Sequence, residues 1–565
     1  MIVQARTAKA FLVASLLALS GPSTPPAAGQ NAASLPVTIT VDGAGSLGDL
    51  NPMWRMFGAD EPNYATMKDG RKLLGELGAL RPGDVFFRAH NLLCSGDGTP
   101  ALKWGSTGIY NEDKDGKPVY NWTVVDRIFD TYRASGVRPY VELGFMPEAL
   151  STNPQPYQHE WRPGGAARLD TGWAYPPKDY GKFAELVYQW VKHGIERYGR
   201  AEVERWYFEV WNEANLGSYW HGTPDDFFKL HDYAIDAVRR ALPTARVGGP
   251  DVAGGGNQFL ENFLKHVNSG TNYVTGKRGT PTDFLSFHAK GQPGFAEGHV
   301  RLGIANQLRD IDRGFAMIAA VPELKDKPIV IGESDPDGCA ACQGPQLGYR
   351  NTTVYSSYTA AAFARKRDLA ARHGVNLDAA LTWAFEFEDQ PFFAGQRTLA
   401  NNGIDLPVLN VFRMFSKMSG KRVEAKSSEE ASLDDMMKNG VRGKPDIAAL
   451  AAIDGRKVSI MAWYYHDDDL PGPDAAVEMT LHHLPVANGS GQMTQYRIDR
   501  THSNPFTVWQ GMGSPTAPNR NQYTQLLQAG QLSADSPVPV TVKDGAANIK
   551  FQLPRQGVYL FVLEL

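Results

Sequence analysis

Cysteine is nearly absent: Cys94, Cys339 and Cys342 are the three in 565 residues. A structural zinc site wants four ligands, and no second pair accompanies Cys339-Ala340-Ala341-Cys342. Nothing around that pair reads as a thioredoxin-like redox domain, which leaves a small local disulfide or two free thiols in a turn. Basic charge is not in surplus either. Lys and Arg number 57 against 61 Asp and Glu, a net charge of −4, and no basic run stands out, so nucleic acid is not an expected partner. No segment past the N-terminus holds roughly 18 uninterrupted apolar residues, so no membrane-spanning helix is expected. No Gly-x-Gly-x-x-Gly opens a helix, so a dinucleotide fold lacks its usual signal. Internal repeats and low-complexity linkers are also missing.

What the chain does have is ordinary globular composition, 42% hydrophobic and 21% charged, at a length that implies about two to four domains. Aromatic content of 11% suits stacking on sugar rings, although large cores use the same residues. The N-terminus reads as an export signal over 1–29. Arg6 and Lys9 precede an apolar stretch at 10–19, and small residues surround Ala27-Ala28-Gly29. A periplasmic or extracellular protein is therefore expected.

Between about 50 and 415, short apolar runs alternate with longer amphipathic stretches. Eight strands are expected at 56–59, 85–89, 138–145, 206–213, 245–250, 284–288, 328–333 and 379–385. Helices are expected between them, at 121–135, 178–198, 225–241 and 353–374 among others. That alternation fits a closed (β/α)₈ barrel over 51–415. From 425 to 565 the texture changes to strand-like runs separated by Gly, Pro, Asn and Asp, with a hairpin signal at Asp454-Gly455. This reads as an all-β sandwich bracing the barrel, to which 35–50 adds an N-terminal strand.

In such a barrel, functional groups sit at the C-terminal ends of the strands. Strand two ends in Arg88-Ala89-His90, strand four in Asn212-Glu213, strand six in His288-Ala289-Lys290 and strand seven in Glu333. Strand eight runs through Trp383 to Glu386-Phe387-Glu388-Asp389. Two carboxylates on one rim suit glycosidic bond cleavage, where one acid protonates the leaving oxygen and the other meets the oxocarbenium-like carbon. Plainer readings stand beside this one. Arg88 balances a buried carboxylate, Glu209 is an interior charge, and His90 and His288 are hydrogen-bonded core residues. His482-His483 makes no convincing metal site.

The run Tyr-Phe-Glu-Val-Trp-Asn-Glu-Ala-Asn-Leu at 207–216 resembles the acid/base motif of glycoside hydrolase family 39, with Ala214 where the family usually has proline. Leu-Gly-Phe-Met-Pro-Glu-Ala-Leu at 143–150, Phe-Leu-Ser-Phe-His at 284–288 and Ile-Val-Ile-Gly-Glu-Ser at 329–334 match in order, so the resemblance covers roughly 35–565. Within the family the likeness is to bacterial β-xylosidases. It implies a retaining enzyme with Glu213 as acid/base and Glu333 as nucleophile, their carboxyl groups about 5–5.5 Å apart. It implies that Asn212 bonds the sugar 2-hydroxyl and that His90, Phe145 and His288 line the pocket. Trp383 would floor the ring by stacking. No metal or organic cofactor is implied.

One departure matters. Where the xylosidase pattern commonly has His-x-Tyr, this chain has His288-Ala289-Lys290-Gly291, which resembles the α-L-iduronidase branch, as does Gln396-Arg397-Thr398-Leu399. Lys290, Arg397 and Asp389 match positions around a uronate carboxylate there, and Glu388 joins them as a substrate-binding candidate. The expected function is release of β-D-xylosyl residues from xylo-oligosaccharides or xylosides. A uronidase is the alternative, and a non-catalytic carbohydrate-binding protein on a decayed barrel is the third reading. The expected partner is the oligosaccharide or glycoside itself, and an oligomer is possible. The long insertions 92–118 and 151–174 are expected to wall the pocket for exo action.

Overall fold

The computed structural model describes residues 34–162 and 168–565; the segment read as an export signal lies outside them. Eight parallel strands, each paired with the next in chain order, run Met56–Ala59, Val85–Ala89, Val137–Leu143, Tyr207–Val210, Arg246–Val252, Phe284–Phe287, Pro328–Ile331 and Asn376–Ala380. The ring closes through Phe57 and Thr382: Gly58 N–H donates to the Thr382 carbonyl at 3.0 Å, and Thr382 N–H to that of Met56 at 3.1 Å. The strands are short, apolar and buried almost throughout, as parallel strands covered by helices must be.

The eighth strand differs from expectation. Its regular part ends at Ala380, because Trp383 N–H turns away from the ladder and donates to both Asp335 carboxylate oxygens at 3.1 Å. Phe385 then bridges Thr398. The apolar run 379–385 is thus barrel-closing but only partly ladder.

The second unit is built from a ten-stranded mixed sheet that fits a β-sandwich. The N-terminal strand Leu35–Asp49 lies inside it, antiparallel to Lys421–Ser427 and parallel to Ala475–His482. Asp446–Asp454 and Lys457–Tyr465 form the hairpin that Asp454-Gly455 signalled, with Gly455 at φ +59°. Helix Leu433–Asn439 and the pair Pro505–Gly511 and Arg520–Gly530 were not anticipated in this region. The pair returns to the barrel: Trp509 packs on Phe393 with ring centroids 5.0 Å apart, and Tyr523 donates to the Asn402 carbonyl at 2.9 Å.

Helix Thr353–His373 is buried on nearly every side because it lies between the two units. Buried polar bonds fix their relation. Ser357 donates to Gln556 at 2.6 Å, and Arg365 pairs with Asp446 at 2.7 Å. Bracing the strand-seven to strand-eight side in this way steadies the end of the barrel that carries Glu333.

Candidate active site

Glu213 and Glu333 stand at the C-terminal ends of the fourth and seventh barrel strands. One carboxylate oxygen of each and a ring nitrogen of His288 lie within 4.8 Å of one another. His288 Nδ1 is 2.7 Å from Glu213 Oε1 and 3.8 Å from Glu333 Oε1, so it touches both acids. The strand end that delivers Glu213 is bent. Trp211, Glu213 and, on the neighbouring strand, Asp251 have φ of 69°, 45° and 50°, conformations that persist only where the surroundings impose them. Here Glu213 N–H donates to the Asp251 carbonyl at 2.9 Å, and the Asn215 amide exchanges two bonds with Ala253 at 2.9 and 3.0 Å. Gly332 is needed just before Glu333, since a Cβ there would collide with the Asp251 carboxylate.

Beneath the pair lies a buried charge network centred on Arg88, which is fully buried. Its guanidinium contacts Glu142 at 2.8 Å, Glu209 at 2.8 Å and Asp251 at 2.6 Å, and stands 3.7 Å from Glu333. Arg88 alone does not balance the four acids around it. Burial raises Glu142 well above the usual carboxylate range and Glu209 to about 8, while Asp251, also opposed by burial, is held down by Arg88 and His288. Both plainer readings, of Arg88 and of Glu209, therefore describe real contacts. Arg88 also donates to Asn212 Oδ1 at 3.1 Å, leaving the buried Asn212 Nδ2 without a partner among the described residues. A buried amide N–H left open beside two carboxylic acids can bond a hydroxyl.

Glu333 is the anion of the site. Burial works against its charge, but Lys290, His288 and Arg88 outweigh it and hold the carboxyl down at about 2. His288, although buried, is raised to about 10 by Asp251 and Glu333. His90 goes the other way. Burial and the Arg88 charge hold it well below its ordinary value, and its Nδ1 is 2.7 Å from Glu142. The Glu213 side chain is the more open of the two acids, 15% exposed against 7% for Glu333.

The remaining expected residues divide. Phe145 is buried between His90 and Trp173, centroids 5.5 and 4.4 Å away. Trp383 is 1% exposed, with His90 against its ring at 4.3 Å and Arg88 5.1 Å from its centroid. It fits only because Gly58 leaves space for the indole. His90, rather than Trp383, lines the adjoining slot. Lys290 is at the site, 2.5 Å from Glu333 Oε2 and 3.2 Å from Asp335.

Among the described residues, Arg397, Glu388 and Asp389 make no polar contact with Lys290. Arg397 is buried and needs counter-charge of its own. It pairs with Asp337 at 2.7 Å and donates to the Trp383 carbonyl at 3.0 Å, and it approaches Lys290 only through Asp335, 3.7 Å away. Glu388 accepts from Gly70 N–H at 3.3 Å, at the start of helix Lys68–Leu80, and Asp389 is exposed. Cys339 and Cys342 are disulfide-bonded, and Arg350 donates to both their carbonyls at 2.6 Å. Cys94 is buried, which pushes its thiol up to about 12.

Sequence reasoning missed Glu142, Asp251, Asp335, Asp60 and Lys103. The first three sit inside or just past apolar runs on the rim already identified, so an acid within a buried strand was the available signal. Asp60, just past the first strand, carried the same signal, whereas Lys103 carried none, because the 43-residue gap between them gives no hint of contact.

The model for glycosyl hydrolases family 39 matches residues 37–548. A β-xylosidase of Geobacillus stearothermophilus is 26% identical over 502 residues, covering 85% of this chain and 86% of that one. The α-L-iduronidase of Mus musculus is 25% identical over 577 residues, covering 94% and 81%. Among solved structures, the GH39 enzyme from Xanthomonas axonopodis pv. citri superposes with a TM-score of 0.72 at 25% identity, covering 96% and 99%. A monomeric β-xylosidase from Caulobacter crescentus CB15 shares the fold with a TM-score of 0.73 at 23% identity, covering 93% and 99%.

Proposed function

From the premise that this chain belongs to glycosyl hydrolase family 39 and is a glycoside hydrolase, we propose that it releases β-D-xylosyl residues from xylo-oligosaccharides or xylosides by double displacement. The observation that carries this reading is the close approach of Glu213 and Glu333, oxygens within 4.8 Å, at the mouth of one barrel. Inverting enzymes keep their carboxyl groups about 6.5–9.5 Å apart to hold a water between them, and this gap is shorter. In the first step Glu333 attacks the anomeric carbon, the glycosidic C–O bond breaks, and the Glu213 proton goes to the departing oxygen. In the second, the Glu213 carboxylate takes a proton from water as that water attacks the same carbon, and Glu333 leaves as a carboxylate. The ionised state of Glu333 suits the nucleophile, and the open Asn212 Nδ2 suits the 2-hydroxyl.

The choice of xylose rests on where the cations go. β-D-xylose bears nothing on C5, whereas a uronate needs a cation there, best supplied as an Arg pair. Arg397 is buried against Asp337, and Lys290 is shared by Glu333 and Asp335. The presence of Lys290 at the nucleophile, as in the iduronidase-like pattern, keeps a uronide as the second reading. Aryl β-D-xyloside, β-D-glucuronide and α-L-iduronide assayed side by side decide between them. The xyloside is expected to have the highest kcat/KM; a tenfold preference for either uronide overturns the xylosyl reading.

On this account Lys290 serves the nucleophile. Lys290→Met removes the foremost of the charges holding Glu333 down, so the Glu333 pKa rises. A nucleophile must be ionised, so the acid limb of kcat/KM, expected below about pH 3 in the wild type, moves to higher pH in the variant. An unmoved acid limb would contradict this role.

A further inference from the structure

Beside the catalytic acids lies a narrow slot whose walls include Asp60, His90, Lys103, Phe145, Trp173 and Tyr219. Lys103 comes from the insertion after the second barrel strand, its backbone at φ 59°. Its ammonium is 2.6 Å from Asp60 Oδ2, and its side chain is 9% exposed. The other Asp60 oxygen accepts from Trp383 Nε1 at 2.7 Å. Trp383 packs on His90, whose Nε2 is 3.6 Å from Glu333. The Asp60–Lys103 pair therefore stands one aromatic layer from the nucleophile. Tyr219 lies close enough to feel the charges of Lys103, Glu213, Asp60 and Glu333.

An ammonium has three hydrogens to give, and among the described residues only Asp60 takes one from Lys103. Asp60 keeps acceptor capacity of its own. The slot thus offers a donor and an acceptor side by side with their charges matched. That chemistry suits a neutral vicinal diol and not a sulfate or carboxylate, which would meet the Asp60 anion. Glu388, in the loop after strand eight, is turned toward helix Lys68–Leu80 instead. Resting on the glycosidase reading above, we propose that Asp60 and Lys103 bind the 3- and 4-hydroxyls of the terminal sugar and set which glycones the enzyme accepts.

A site built to bond a hydroxyl rejects the analogue lacking it, because its buried polar groups are then left unpaired. The test compares kcat/KM for the aryl glycoside the wild type turns over fastest with its 3-deoxy and 4-deoxy analogues, in wild type, Lys103→Met and Asp60→Asn. The wild type is expected to prefer the parent by roughly 10²-fold or more over at least one analogue. In Lys103→Met the parent loses most of that advantage while the sensitive analogue changes little, so the ratio falls toward one. Should Lys103→Met fail to fold, Asp60→Asn, which keeps shape and an acceptor for Trp383, carries the same comparison. A parent-to-deoxy ratio unchanged in the folded variants, or a wild type indifferent to both deoxygenations, overturns the proposal. Failure of the wild type to hydrolyse any glycoside would instead overturn the reading it rests on.

Discussion

Glu333→Gln should fold, should still bind sugar, and should lose turnover of an aryl xyloside by about 10⁴-fold, roughly 5.5 kcal/mol of transition-state stabilisation. The swap preserves shape but replaces the carboxylate with an uncharged amide, a far weaker nucleophile. The environment makes the loss hard to escape. Lys290, His288 and Arg88 gather positive charge around that one anion, and Glu213 is the other acid at the mouth. Sugar affinity, measured by calorimetry with the product, separates lost chemistry from lost binding. Turnover within tenfold of wild type, about 1.4 kcal/mol, would remove Glu333 from the role given to it.

Glu213→Ala has the second largest effect, and its size depends on the leaving group. General acid help is worth about 10²–10⁴-fold when the departing oxygen needs a proton, so xylobiose should suffer by that much. A dinitrophenyl xyloside, whose phenolate leaves unaided, should form the glycosyl-enzyme nearly normally and then stall, because no base activates water. Azide needs no base. It should restore turnover and, by attacking an ester formed on Glu333, give the β-azide. An α-azide would mean direct displacement on the β-linked substrate and would contradict the double-displacement account.

The barrel was legible because its strands are short apolar runs bounded by amphipathic helices; the first two fell at Met56–Ala59 and Val85–Ala89 as read. Glu213 and Glu333 were legible for the same reason: a charge that ends such a run lies on the functional rim. What resisted reading was set by tertiary contact. The eighth strand ends early because Asp335 captures Trp383 N–H. Arg397 matches a family position, yet burial and Asp337 decide where its charge goes. The helices at Pro505–Gly511 and Arg520–Gly530 are short and pack on barrel loops whose proximity no local pattern reports. Arg88 and Glu209 looked ambiguous one at a time. Only the network, with Glu142 and Asp251 in it, shows why a buried strand tolerates them.

Incubating the wild-type enzyme with a 2-deoxy-2-fluoro xyloside bearing a dinitrophenyl group, followed by peptide mass spectrometry, asks the most direct question of the site. The account predicts inactivation with one fluorosugar attached, carried by the peptide containing Glu333, at that residue. Stoichiometric labelling of any other residue would contradict it, and so would turnover of the fluoroglycoside to an inverted product with no adduct.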